Sequence, residues 1–296
     1  MAHEIMSPSK PMDSQGKPGI TRALKVEETR GNHRRNGKMQ VRWFEGWVGK
    51  FYDHRLLQEV KDGPIPKHVA IIMDGNRRFA LSMAIDKNKG HSLGKEKVRQ
   101  VMRWSRDLGV RYLTVYALST ENLSRRSQEE LDHLFDLYEI GFMELAQDEE
   151  IHRDKVRCQA VGQLHLLPER VIKAIHAAEE MTKAYDSMVF TVCLAYGGRQ
   201  ELVDAIQAMM ADHTNGKIRP DDVTEELVSQ YLYTKEMPDP DLLIRTSGEE
   251  RSSNFLLWQM AYSEMLFIDV FWPAFRKRDY LRGIRTYQGR KRRYGQ

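Results

Sequence analysis

Asp74, Asn76, Arg77 and Arg78 crowd a carboxylate, an amide and two guanidiniums into one short stretch, with Gly75 behind the aspartate. They follow the run from Val69 to Met73, which is short, apolar and rich in β-branched residues. Such a run reads as a buried parallel strand. Gly75 permits a tight turn, and Asn76 then opens a helix. These groups therefore stand at the carboxyl end of a strand, where ligands bind in an open α/β sheet. A helix N-terminus flanked by arginine suits a phosphate, and a carboxylate among those charges suits a divalent cation shared with phosphate oxygens. A strand–turn–helix with a capping Asp and two solvated arginines accounts for the same residues.

Other polar clusters follow other strand-like runs. Ser119, Thr120, Glu121, Asn122, Leu123, Ser124 and Arg125 place hydroxyls, an amide and a guanidinium at the sheet edge that carries Asp74. Alternatively they cap the helix that starts at Gln128. Gly197 and Gly198 allow a close backbone approach, and turn chemistry alone also explains them. Arg245, Arg251 and Ser253 lie beyond another strand-like run, where two guanidiniums and a hydroxyl suit a second diphosphate. Glu264 abuts the apolar run 265–271 and needs a metal or an arginine as partner. His91, at a helix start, either donates to a phosphate or makes a structural hydrogen bond, since Gly90 to Lys95 lacks P-loop spacing. Asp221 and Asp222 sit where a helix begins and read as caps.

The elements that position these residues alternate along the chain. Strands are expected over 69–73, 113–118, 156–161, 189–195, 242–244 and 265–271. Helical patterns cover 93–108, 128–148, 169–184, 199–212, 224–233 and 255–262, and a basic helical segment covers 279–293. Alternation of this kind gives the α/β class: one domain, with a six-stranded, mostly parallel sheet flanked by helices. Leu131, Leu134, Phe135, Tyr138, Phe142 and Leu145 form one apolar stripe, which packs in the core or lines a long apolar channel. Trp43, Phe44, Trp47, Val48, Phe51, Tyr52, Leu56 and Leu57 recur at helical spacing, as in a helix packed on the domain or lying on a bilayer. Residues 1–40 are polar and aperiodic and read as a disordered extension, which leaves 41–296 as the folded domain.

A chain of 296 residues has enough length for a substantial core. Its net charge of +4 is mild, and no nucleic-acid module is visible. Basic residues gather at His33–Arg35 and Arg290–Arg293, as solvated faces or as partners of anionic lipid or diphosphate. Cys158 and Cys193 fall in apolar runs and read as buried reduced thiols. No run reaches transmembrane length, so a cytoplasmic protein is expected, with membrane contact only at the periphery if its product is lipid.

From about Val41 onward the chain resembles the cis-prenyltransferases, the undecaprenyl and dehydrodolichyl diphosphate synthases. The matching stretches are His68 to Ala80, Gly90–His91, Tyr116 to Arg125, Ala195 to Arg199, Asp239 to Glu249, Ser253 to Gln259 and Trp272–Pro273. Asp148 to Arg153, His165 to Arg170 and Arg285 to Gln288 are most similar to the archaeal branch, whose members extend geranylgeranyl diphosphate. The resemblance implies addition of isopentenyl diphosphate to an allylic prenyl diphosphate, with cis double bonds, giving a polyprenyl diphosphate for a glycosyl carrier lipid. It implies Mg²⁺ on Asp74 with help from Glu264, and Asn122 as proton acceptor. Gly75, Asn76, Arg77, Arg78, His91 and Arg125 would hold the allylic diphosphate, with Phe79 as an apolar wall and Lys87 where Arg is common. Ser119, Thr120, Glu121 and Leu123 would also contact substrate, and Arg245, Arg251 and Ser253 would bind isopentenyl diphosphate. Arg293 and Gly295 match an element that reaches across a homodimer interface. Leu123 and Leu118 replace the usual aromatics, and with Lys87 they keep open a short-chain or irregularly joined product. A non-catalytic scaffold subunit that binds prenyl diphosphate is a further alternative.

Overall fold

In the computed structural model of this protein, residues 52–290 are described. The strands are β1 (His68–Ile72), β2 (Tyr112–Tyr116), β3 (Val156–Val161), β4 (Met188–Cys193), β5 (Leu242–Thr246) and β6 (Glu264–Ile268). They form one sheet in the order β3-β4-β2-β1-β5-β6, and every pairing is parallel. Parallel neighbours require crossovers, and helices supply most of them. The helices are α1 (52–61), α2 (Asn76–Ser82), α3 (Lys87–Leu108), α4 (Thr120–Arg125), α5 (Gln128–Gln147), α6 (Glu149–Arg153), α7 (Glu169–Thr182), α8 (Gly198–Thr214), α9 (Glu225–Tyr231) and α10 (Lys277–Gly289).

Both faces of the sheet are buried, and the strand period of two sorts the side chains between them. Val69, Ile71, Leu113, Val115, Phe190 and Ile244 point into the larger core with residues of α3, α5, α7 and α10. Ala70, Ile72, Tyr116, Cys193 and Leu243 point the other way, onto Tyr196, Phe255 and Leu256. Fully burying each large aliphatic or aromatic side chain contributes about 1.5–3 kcal/mol. β1 lies between β2 and β5, so the chain leaves it in one direction for β2 and later returns on its other side. That reversal opens a crevice at the carboxyl end of β1.

Several boundaries differ from the sequence reading. The segment 255–262 is a series of turns rather than a helix. Ser253, Asn254 and Leu256 take positive φ of 49°, 64° and 44°, which a right-handed helix excludes. Asn254 O accepts from Gly198 N at 2.7 Å, and a Cβ on Gly198 would lie 2.8 Å from Leu257 Cγ. The helix α3 begins at Lys87, ahead of the apolar period, because the Asp86 side chain accepts from Asn88 N and caps it. Residues 120–125 form their own short helix capped by Ser119, and the cap of α5 is Ser127. Of the aromatic segment 41–60, the part from Tyr52 onward packs on the domain, with Leu56 and Val60 in the core. Trp43, Phe44, Trp47, Val48 and Phe51, the extension 1–40, and Arg293 and Gly295 lie outside the described residues. Cys158 and Cys193 are buried free thiols, and burial pushes that of Cys158 up to about 12.

Candidate active site

The loops after β1, β2 and β5 meet at one edge of the sheet and enclose a cleft of about 800 Å³. Asp74 stands at its centre, directly beyond β1. The Thr246 hydroxyl accepts from Asp74 N at 3.0 Å and donates to Asp74 O at 2.7 Å, so the end of β5 fixes the aspartate backbone. Arg245 Nη2 donates to Asp74 Oδ2 at 2.7 Å, and Arg78 Nη2 lies 3.2 Å from Oδ1. Burial alone would push this carboxyl up, but the Arg245 hydrogen bond and the Arg245 and Arg78 charges outweigh it and hold it below its ordinary value.

Arg245 is the deepest cation, its side chain only 3 % exposed. Its Nη1 donates to Ser253 Oγ and to Arg251 O, each at 2.6 Å. Its Nε is buried without a partner. Arg78 bridges to Ser247 Oγ at 2.6 Å and to Glu249 Oε1 at 2.9 Å. Glu249 also pairs with Arg251. On the other wall Asn254 Nδ2 donates to Glu121 Oε1 at 2.9 Å, which joins the loop after β5 to α4. Gly75 makes the turn at φ 107°, and a Cβ there would meet Phe271 Cδ1 at 2.8 Å.

Next to the cleft, an apolar cavity of about 120 Å³ lies between α3, α5 and the sheet. Met73, Asn76, His91, Tyr116 and Ala117 line both spaces. Val98, Met102, Leu134, Leu137, Phe142 and Leu145 line the inner one. The stripe on α5 packs in the core, and Leu134, Tyr138, Phe142 and Leu145 also border this small cavity. A densely cationic chamber beside an apolar cavity suits a molecule with an anionic head and a hydrocarbon tail.

A family described as "Putative undecaprenyl diphosphate synthase" matches residues 72–295. The chain belongs to the cis-prenyltransferase family. It is 52% identical over 264 residues to the tritrans,polycis-undecaprenyl-diphosphate synthase (geranylgeranyl-diphosphate specific) of Methanopyrus kandleri, covering 89% of this chain and 97% of that one. The enzyme of the same name from Methanocaldococcus jannaschii is 52% identical, over 84% of this chain and 89% of its own. Among solved structures, lavandulyl diphosphate synthase from Lavandula x intermedia, in complex with dimethylallyl diphosphate, matches with a TM-score of 0.74 and 36% identity. The match covers 78% of this chain and 99% of that one. A probable undecaprenyl diphosphate synthase from Campylobacter jejuni matches with a TM-score of 0.65 and 30% identity, over 79% and 100% of the two chains.

Within this cis-prenyltransferase, Asp74, Gly75, Asn76, Arg77, Arg78, His91, Ser119, Glu121, Asn122, Arg125, Arg245, Arg251 and Ser253 all line the cleft. Phe79, Thr120, Lys87 and Leu123 are not among its lining residues. Thr120 turns toward Gly197, and Leu123 packs on the core. Lys87 lies 3.9 Å from Glu129. Glu264 requires a correction. It is the first residue of β6, in register with Leu242, and so lies at the amino end of the strands. About five residues of strand, at ~3.3 Å each, separate that edge from Asp74. Its partner is Arg290, at 2.5 Å, and within one chain it does not join Asp74 in a metal site.

Among the described residues no group of three or more His, Cys, Asp or Glu is arranged to hold a metal. Asp74 offers hard oxygens, and Mg²⁺ ordinarily uses one or two carboxylates together with substrate phosphates and water. The residues present fit an ion brought by a diphosphate, not one caged by protein alone. Sequence reasoning missed Arg126, Glu130, Tyr116 and Asn254. Arg126 and Glu130 pair across the break between α4 and α5, where the backbone of Arg126 and Ser127 is extended, so no helical spacing signals the contact.

Proposed function

We propose that this cis-prenyltransferase adds isopentenyl diphosphate units to an allylic prenyl diphosphate, geranylgeranyl or farnesyl, and releases a cis-polyprenyl diphosphate used as glycosyl carrier lipid. The observation that carries this reading is that the arginine-lined cleft and the apolar cavity adjoin, sharing Asn76, His91 and Tyr116 as lining residues. The names of the archaeal relatives support geranylgeranyl diphosphate as primer and an undecaprenyl product.

Asp74 would hold Mg²⁺ jointly with diphosphate oxygens, and the ion when bound supplies neutralisation of the charge that builds on the leaving group. Arg77, Arg78 and Arg125 donate to that group, and their hydrogen bonds strengthen as the allylic C–O bond breaks. Arg245, Arg251 and Ser253 hold isopentenyl diphosphate beside it, which converts a bimolecular encounter into a positioned one. Asn122 lines the same cleft, and because a carboxamide oxygen is a weak base we assign it orientation of the proton lost from isopentenyl diphosphate, which the released diphosphate takes up. The growing chain then displaces water from the passage between α3 and α5.

We further propose a homodimer with peripheral membrane contact. Val203, Ile206 and Met210 leave an exposed apolar stripe on α8, and Leu81 and Met83 are exposed at the end of α2, which supports both readings. No helix among the described residues is long and apolar enough to cross a membrane. Sedimentation velocity and vesicle flotation test these two points, and a monomer that never floats refutes them.

Incubation of the purified chain with Mg²⁺, labelled isopentenyl diphosphate and allylic primers of several lengths tests the reaction. Products differing by single isoprene units with cis double bonds are expected, and none should form with EDTA. Asp74→Ala should lower turnover at least about 1000-fold, the scale for losing a central electrostatic group, with the circular dichroism spectrum retained. Products joined otherwise, or turnover surviving in that variant, would refute the assignment.

A further inference from the structure

The two signs of charge are separated along this chain. Residues 52–275 carry 36 Asp and Glu against 27 Lys and Arg, whereas residues 276–290 carry six Lys and Arg against one Asp. That basic stretch is α10 with the two residues that cap it. Tyr280, Leu281, Gly283 and Ile284 bury one side of the helix in the core. Arg278, Arg282 and Arg285, at i, i+4 and i+7, share the opposite side, where Arg282 and Arg285 are exposed.

The helix α1 lies along this side. Arg278 Nη2 donates to Asp53 Oδ2 at 3.0 Å, and Arg285 Nη1 donates to Glu59 Oε2 at 3.4 Å. Glu59 also accepts from Arg55 Nε at 3.0 Å, so one carboxylate serves two guanidiniums. Arg278 and Arg282 each hold a guanidinium 5.5 Å from the centre of the Tyr52 ring. The Arg282 hydrogen bond, and then the charges of Arg282 and Arg285, hold the Tyr52 hydroxyl below its ordinary value, as a positive field would. Ion pairs between the helices do not account for the excess. Exposed pairs stabilise a fold little, and a solvated face needs charge but not one sign of it. Arg55, whose side chain is 72 % exposed, and the exposed Lys61 extend the same sign onto α1. The chain also enters α1 from a stretch containing Trp43, Phe44, Trp47 and Phe51. Cations beside amphipathic aromatics suit the headgroup layer of a bilayer.

We propose that the α1–α10 face docks on a bilayer leaflet containing anionic phospholipid, with Arg55, Arg282 and Arg285 facing the headgroup phosphates. Such a leaflet repels the net negative remainder of the described chain, so the separated charges orient the molecule as well as attach it. The proposal rests on the reading of peripheral membrane contact, and it names the face and the lipid class.

Flotation of the full chain with vesicles of phosphatidylcholine alone, and of phosphatidylcholine mixed with phosphatidylglycerol, tests it. The wild type should bind the mixed vesicles more tightly. It should lose that preference as salt rises from about 0.1 M to about 1 M, where the screening length falls from about 10 Å to about 3 Å. Arg282→Gln with Arg285→Gln should weaken binding to the mixed vesicles at least about tenfold, since each cation near such a surface contributes about fivefold. Arg282→Glu with Arg285→Glu should weaken it further. Circular dichroism should be unchanged in both, and turnover of soluble primers should stay within about twofold. If the reversed variant fails to fold, the glutamine pair carries the comparison. Equal flotation with both vesicle types, retained in the variants, would overturn the proposal and leave peripheral contact standing. A wild type that floats with neither would remove both. Variants that change the sedimentation coefficient but not flotation would make the face a protein interface. Tighter binding to a labelled DNA duplex than to the mixed vesicles, at equal salt, would make it a nucleic-acid face. Either result overturns the proposal.

Discussion

Gly75 shows how one residue carries the geometry of the cleft. Its φ of 107° is open to glycine and strained for alanine, and the missing side chain leaves room for Phe271. Gly75→Ala should therefore lower stability by about 1–3 kcal/mol and turnover by more than tenfold. Denaturant melting and initial rates read the two effects, and an alanine variant with wild-type kinetics would show that the turn tolerates a Cβ. The preformed Arg245–Asp74–Arg78 arrangement has the same character. Each oxygen of the carboxylate already faces a guanidinium, so the groups that would meet metal and diphosphate are gathered in advance and exchange partners when these bind. Asp74, Arg77 and Arg78 were legible as a group because they are adjacent in the chain. Arg126 and Asn254 were not, since what matters about them is a partner made available by folding.

The helices α3 and α5 do more than cover the sheet. His91 and Met102 both line the cavity from α3, 11 positions apart. At ~1.5 Å per residue that is a depth of ~16 Å. Trp272 Nε1 donates to Gly94 O at 2.9 Å, and Gly94 itself would meet Asn76 Oδ1 at 2.5 Å if it carried a Cβ. Close packing at the head of α3 thus holds Asn76 at the junction of cleft and passage. Met102→Trp should plug the inner end, shift products to shorter chains and destabilise by about 1–3 kcal/mol from overpacking. Mass spectrometry of the products decides it, and an unchanged length distribution would mean that the chain grows elsewhere. The stripe on α5 was readable from its period. The turns at 255–262 were misread because Phe255, Leu256, Leu257 and Met260 mimic helical spacing while packing against the β4–α8 turn.

The whole molecule depends on holding three central strands in register, and His68 is one device for that. Its Nε2 lies 2.8 Å from Thr114 Oγ1 on β2, and its Nδ1 lies 2.7 Å from Pro238 O, ahead of β5. Burial lowers its pKa from 6.5 to about 4. The unfolded chain therefore binds a proton that the folded chain refuses, and stability present above about 6.5 is lost as pH falls toward 4. Between pH 7 and pH 5 this group alone should remove about 2 kcal/mol. His91, also brought down to about 4, acts with the same sign. Urea melts of wild type and His68→Gln across this window measure the difference, and parallel pH profiles would refute the assignment.

Local pattern was enough to establish the alternation of strands and helices, the parallel class and the cluster around Asp74, because burial on both faces and turn chemistry leave a trace in neighbouring residues. Strand order was beyond its reach, and with it the fact that β1 sits at the reversal where loops after β2 and β5 converge. Glu264 illustrates the difference. Its acidic side chain before an apolar run called for a metal or an arginine, and the family resemblance implied the metal, yet its register with Leu242 puts it at the other edge of the sheet, paired with Arg290. A residue's chemistry is written in its side chain, but which end of a strand it occupies depends on pairing with residues far away in the chain.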